Sequence, residues 1–197
     1  LAKIFRTAAI LSAVLFSCAA GLSAQEEKRG ETRDLIFTYI GPVAGYGFNR
    51  ITYKDWFSAY QGVKKFPGQY YTAGLTFNVY ARYFAGDFAF SFMNNKNDKY
   101  PVRNMFISSN ARVLINLGET FFIAPGGGVY FETPPASRKY NGSAGIQGSA
   151  ALGLNTTFST KLYADVHVRY GSFGLGRDST KLSYGISAGF VYKVGRM

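Results

Sequence analysis

Residues 70–83 read YYTAGLTFNVYARY. Every second residue from Tyr71 (Tyr71, Ala73, Leu75, Phe77, Val79, Ala81, Tyr83) is apolar or aromatic. The interleaved set (Tyr70, Thr72, Gly74, Thr76, Asn78, Tyr80, Arg82) is small, polar or charged. Side chains two apart share a strand face, so unbroken alternation of this kind predicts a β-strand. Its length sets it apart from ordinary strands of about 5–6 residues. At about 3.3 Å per residue it extends for roughly 46 Å. Tilted by about 45°, it climbs roughly 33 Å, more than the apolar band of about 25 Å in an outer membrane.

The same period recurs along the chain. Strands are expected at 34–48, 70–83, 87–93, 103–117, 120–131, 143–157, 161–172 and 182–194. The first is the least regular, since Leu35, Phe37 and Tyr39 alternate against Ile36, Thr38 and Ile40, and Pro42 lacks the N–H a ladder needs. Between the strands, short turns at 84–86, 118–119 and 158–160 alternate with longer connections at 49–69, 94–102, 132–142 and 173–181. An even strand count with alternating short and long connections predicts an all-β fold: an eight-stranded antiparallel transmembrane up-and-down β-barrel.

Alternation does not say which face is inside, but volume does. An eight-stranded barrel is just wide enough for side chains or one small ligand. The apolar set, with Phe77, Phe88, Phe90, Phe92, Phe121, Phe131 and Phe190 among many Leu, Ile and Val, is too bulky for that space. The set rich in Gly, Ser, Thr and Asn fits. The apolar face therefore points to lipid, with Tyr71, Tyr83, Tyr170, Tyr184 and Tyr192 near strand ends as an aromatic girdle. A soluble barrel would need the reverse facing.

Composition agrees. Aromatic residues are 17% of the 197 and Gly numbers 23, yet mean hydropathy is −0.03, as polar lumen positions dilute the apolar ones. The formal charge is +11, but Lys and Arg are spread without a dense basic stripe, so no nucleic-acid partner is expected. Basic loops would instead meet anionic groups at a cell surface.

Residues 1–24 have the form of a secretory signal peptide: Lys3 and Arg6, an apolar run over 7–16, then small residues up to Ala24. The run is too short for a spanning helix of about 20 residues. Cleavage after Ala24 leaves +9 (20 basic against 11 acidic residues), a flexible lead over 25–33 and a barrel domain over 34–197. A rival reading takes the stretch before Cys18 as a lipoprotein signal, although Phe16 suits it poorly. Cys18 is the single cysteine, so no disulfide braces the fold.

The segment from Ser187 to Val194 (SAGFVYKV) resembles the C-terminal assembly signal of outer-membrane barrels, departing from it where Val194 replaces an aromatic and Gly195, Arg196 and Met197 follow. The chain after the signal segment resembles the small outer-membrane proteins of the OmpW, OmpX and OmpA-barrel type. The resemblance implies residence in the bacterial outer membrane, outer-membrane lipid as surroundings, insertion by the barrel assembly machinery, and an envelope role. It carries no active-site motif.

Candidate chemistry lies among lumen-facing ionisable residues. Arg82, Asp87, Arg112, Lys161, Asp165 and Lys193 are expected in the half nearer the short turns, with His167 and Arg169 higher. They read either as a constriction favouring anions or as a salt-bridged plug; the plug is preferred because buried charges need partners. Arg82 in particular is expected to be half of an ion pair. Some small outer-membrane barrels are lipid-modifying hydrolases with a His–Ser pair facing lipid. Here the only histidine, His167, faces inward and its i+2 neighbour is Arg169, so a hydrogen-bonding role is expected rather than catalysis. No cofactor and no metal site are expected. Gly126-Gly127-Gly128 and Gly174-Leu175-Gly176 lack the helix that a phosphate cradle requires. Residues 51–65 (ITYKDWFSAYQGVKK) would either bind a partner or anchor at the interface through Trp56. The expected function is a non-enzymatic structural or surface-exposed envelope protein; the alternative is a narrow pore for small or hydrophobic solutes.

Overall fold

The computed structural model describes residues 36–53, 65–96, 102–133, 143–157, 159–173 and 179–196. The expected signal peptide (1–24), the lead (25–33) and Trp56 lie outside the described residues. The strands are β1 (Phe37–Tyr53), β2 (Lys65–Tyr80), β3 (Phe84–Lys96), β4 (Val102–Val113), β5 (Ile115–Leu117), β6 (Phe121–Glu132), β7 (Ser143–Thr157), β8 (Thr160–Phe173) and β9 (Ser179–Arg196). β4 and β5 are parted only at Leu114 and both pair with β6, so together they form one wall. The result is a closed antiparallel barrel of eight walls.

Closure can be followed residue by residue. From Tyr70 the register passes through Gly47, Gly185, His167, Ser149, Gly126, Arg112 and Ala85, and returns to β2 at Tyr80. The stagger is thus 10 residues (80 − 70). With strands about 4.8 Å apart, that stagger tilts them by about 40°.

The two faces of each strand separate as the alternation requires. Tyr70 is fully buried in the lumen whereas Tyr71, its neighbour, is 48% exposed on the outside. Leu75, Phe92, Ile146, Val166 and Ile186 are likewise exposed, forming the apolar exterior. Aromatic residues also occupy the lumen: Tyr39, Tyr80 and Phe122 near the short turns, and Tyr70, Phe106 and Tyr130 near the long connections. They fit because glycines leave room beside them. Tyr70 lies across Gly47 and Gly185, and a Cβ on either glycine would come within 2.5 Å of its hydroxyl.

Several boundaries differ from those the sequence suggests. β2 ends at Tyr80 and β3 begins at Phe84, with the Ala81 N–H donating to the Phe84 carbonyl at 2.8 Å. The alternation runs on through this turn to Tyr83, so periodicity alone cannot mark where the strand stops. β1 and β2 extend further towards the long connection than expected, as do β6 to Glu132 and β9 back to Ser179. The Gly118 turn is where expected and adopts φ +73°, a conformation glycine favours.

Candidate functional site

The lumen is filled in three layers. Nearest the long connections, Lys181 Nζ donates to both oxygens of Glu132 at 2.8 and 2.6 Å, and both side chains are almost completely buried. Beside them the Tyr130 hydroxyl is 3.2 Å from Ser143 Oγ, and the Tyr130 ring stacks on Phe106 at 6.1 Å. The Arg169 guanidinium covers Phe106, 4.1 Å from the ring centre.

The middle layer is a crossbar of charge-assisted hydrogen bonds. Arg112 donates through Nε to Asp87 Oδ2 and through Nη1 to Asp165 Oδ1, each at 2.7 Å. Asp87 and Arg112 sit on the neighbouring strands β3 and β4 and Asp165 on β8, so the bond to Asp165 crosses the lumen and the two together link opposite walls. Asn110 donates to Asp87 at 2.8 Å, Gln147 to Asn110 at 2.7 Å, and Arg169 Nε to Gln147 at 3.0 Å. Tyr70 and His167 meet at 2.7 Å. Buried charges of this kind persist only when paired and hydrogen-bonded.

The layer nearest the short turns is built differently. The Lys161 ammonium lies among three rings, 5.5 Å from Tyr39, 5.0 Å from Tyr80 and 5.4 Å from Phe122, and donates to Asn155 Oδ1. Ring faces carry partial negative charge, so they attract a cation that has no carboxylate within ion-pair reach among the described residues. Lys193 Nζ lies 3.6 Å from the centre of the Phe37 ring.

Of the eight charged candidates, Asp87, Arg112, Asp165, His167 and Arg169 come together in the middle of the lumen and are buried. Lys161 and Lys193 lie at its short-turn end. Arg82 does not belong to the lumen: it falls in the β2–β3 turn, exposed, with its guanidinium 4.9 Å from the Tyr83 ring centre. Its expected ion pair is made by Arg112 instead. Glu132 and Lys181, which sequence reasoning placed in polar connections, are strand residues forming a buried pair. Inward alternation extended two residues past Tyr130, and two back from Ser183, would have located them.

Ser149 was missed as a neighbour of His167. It stands opposite His167 across β7 and β8, and Asp165 Oδ2 lies 3.9 Å from His167 Nδ1. A serine, a histidine and an aspartate thus share one region without forming a nucleophilic triad. A serine nucleophile requires a hydrogen bond to its base; here Nε2 is engaged by Tyr70, while Ser149 Oγ and His167 Nδ1 are buried without hydrogen-bond partners among the described residues. No group of three His, Cys, Asp or Glu residues suited to a metal ion occurs among the described residues.

An apolar exterior, a polar and charged interior, eight closed antiparallel walls and strands long enough to cross an apolar band decide the class. The protein is an outer-membrane β-barrel. No protein-family model and no curated protein matches the chain. Solved structures do. The crystal structure of Neisserial surface protein A (NspA) aligns with a TM-score of 0.55 at 12% identity, covering 80% of this chain and 97% of that one. OprG from Pseudomonas aeruginosa aligns at 0.45 with 14% identity, covering 82% and 96%. Ail, the attachment invasion locus protein of Yersinia pestis, in complex with the heparin analogue sucrose octasulfate, aligns at 0.41 with 14% identity, covering 79% and 99%. The alignment with NspA, at 12% identity, shows the shared fold of a small outer-membrane barrel and nothing beyond the fold. In such barrels the short turns face the periplasm and the longer loops face outward.

Proposed function

We propose that this barrel is a non-enzymatic envelope protein that acts through its exterior and its outer connections, with a lumen sealed against ions and solutes. The observation that carries this reading is the Asp87–Arg112–Asp165 crossbar, which joins opposite walls through two 2.7 Å contacts at the middle of the lumen. A water-filled channel would leave such charges solvated. Here Arg112 and Asp165 are 7% and 6% exposed, and aromatic clusters stand on both sides. Outer-membrane lipid surrounds the apolar face, and the barrel assembly machinery inserts the chain. The alternative, a narrow pore, would require the crossbar to part.

Solute flux through proteoliposomes separates the two. Vesicles carrying the refolded protein are expected to exclude small sugars and amino acids as protein-free vesicles do. Swelling that scales with the amount of protein would replace this reading with the pore.

A further inference from the structure

The only histidine of the chain stands at a break in a ring of polar contacts. One arm of the ring leaves Arg169 through Gln147 and Asn110 to Asp87, and Arg112 then joins Asp87 to Asp165. The other arm leaves Arg169 through its Nη1, 3.5 Å from the Tyr70 hydroxyl, which in turn lies 2.7 Å from His167 Nε2. The two arms end facing each other: His167 Nδ1 is 3.9 Å from Asp165 Oδ2, too far for a direct hydrogen bond. The His167 side chain is 3% exposed, and its Nδ1 has no hydrogen-bond partner among the described residues. The hydroxyl of Ser149, directly opposite on β7, is also buried and unpartnered among them.

Proton bookkeeping fixes the histidine. An arginine N–H can only donate, so Arg169 takes a lone pair of the Tyr70 oxygen. If His167 carried its proton on Nε2, two donors would point at that oxygen and the buried tyrosine hydrogen would have no acceptor. The lone pair on Nδ1 would then face a carboxylate. With the proton on Nδ1, Tyr70 donates to Nε2 and the Nδ1–H points towards Asp165. A polar contact spanning 3.9 Å in a buried site calls for a bridging molecule that both accepts and donates.

We propose that His167 is held as the neutral Nδ1–H tautomer, and that its Nδ1, Asp165 Oδ2 and Ser149 Oγ bind one water molecule that closes the ring. The water accepts from Nδ1–H, donates to Asp165 and hydrogen-bonds the Ser149 hydroxyl, the three partners usual for a buried water. Two arginines and two aspartates then balance, with every ring member satisfied. Tyr70 and Ser149 act as positioning residues for the histidine and its water.

A single histidine makes the test direct. The full chain is labelled with [15N]-histidine and refolded in detergent micelles, and long-range 1H–15N correlation is recorded at neutral pH. The expected spectrum shows a protonated Nδ1, an unprotonated Nε2, no averaging between tautomers, and magnetisation transfer from the Nδ1 proton to water. A protonated Nε2 or a doubly protonated ring would overturn the tautomer assignment. An Nδ1 proton with no transfer to water would overturn the water. In Tyr70→Phe, shown to be folded by its heat-modifiable gel mobility, the ring is expected to average between tautomers, and an unchanged spectrum would remove Tyr70 from the account. Ser149→Ala is expected to keep the tautomer and lose several-fold in transfer to water; undiminished transfer would take Ser149 out of the water site. Should either variant fail to fold, the wild-type spectrum alone decides both parts of the proposal.

Discussion

Two layers of the lumen hold a cation by opposite means. In the middle, Arg112 is held by two carboxylates from different walls. Near the short turns, Lys161 is held by three ring faces and an amide oxygen. The chemistry of each cation matches its surroundings. The planar guanidinium offers several fixed donors and so bridges two carboxylates at once, whereas the ammonium is a point charge that a set of rings can surround. The consequence is unequal fragility. Removing the arginine strands two buried anions, whereas removing the lysine charge leaves only neutral rings and a hydrogen-bonding amide.

The largest expected effect therefore falls on the crossbar. Arg112→Met is expected to cost about 3–5 kcal/mol, since it breaks a buried ion-pair network and leaves uncompensated charge. Equilibrium urea unfolding of the refolded protein in micelles measures it. Adding Asp87→Asn and Asp165→Asn to that variant is expected to return most of the loss. If the triple variant is as unstable as the single one, packing rather than charge holds the middle layer.

An intermediate effect is expected where the two layers' side chains depend on glycine. Gly185→Ala would place a methyl group within 2.5 Å of the Tyr70 hydroxyl, and overpacking of this kind costs about 1–3 kcal/mol. The same unfolding measurement applies, and adding Tyr70→Phe is expected to return only part of the loss, because the methyl group would also lie 2.6 Å from the Tyr46 carbonyl oxygen. The smallest effect is expected at the cage. Lys161→Met keeps the stem and removes the charge, so the change is expected to stay within the range of a cation–ring contact, about 0.5–2 kcal/mol. A loss at Lys161 equal to that at Arg112 would erase the contrast between the layers.

The walls of the barrel were legible in the sequence because one face is apolar and the other is not, which makes a period of two visible over long stretches. Facing followed from volume. Strand ends were less legible. At Ala81–Tyr83 the alternation persists through the turn, which put Arg82 on the wrong side of a boundary and led to a lumen position it does not occupy. Glu132 and Lys181 were obscured for the complementary reason: they flank stretches rich in turn residues, so their charge suggested solvent although each continues its strand's inward set. Which charges pair across the lumen was not legible. Arg112 reaches Asp165 only through the stagger of the closed barrel, and that stagger depends on the register between strands, whereas Asp87 lies on the neighbouring strand β3. Tyr70 illustrates the same limit, since its partner His167 lies 97 residues away and is reached across two glycines.

A lumen closed by the crossbar is expected to leave a planar bilayer silent when the refolded wild-type chain is inserted, with flickering steps only when Arg112→Ala or Asp165→Ala removes a member of the crossbar. Stable ohmic steps from the wild-type protein, unchanged in either variant, would contradict it.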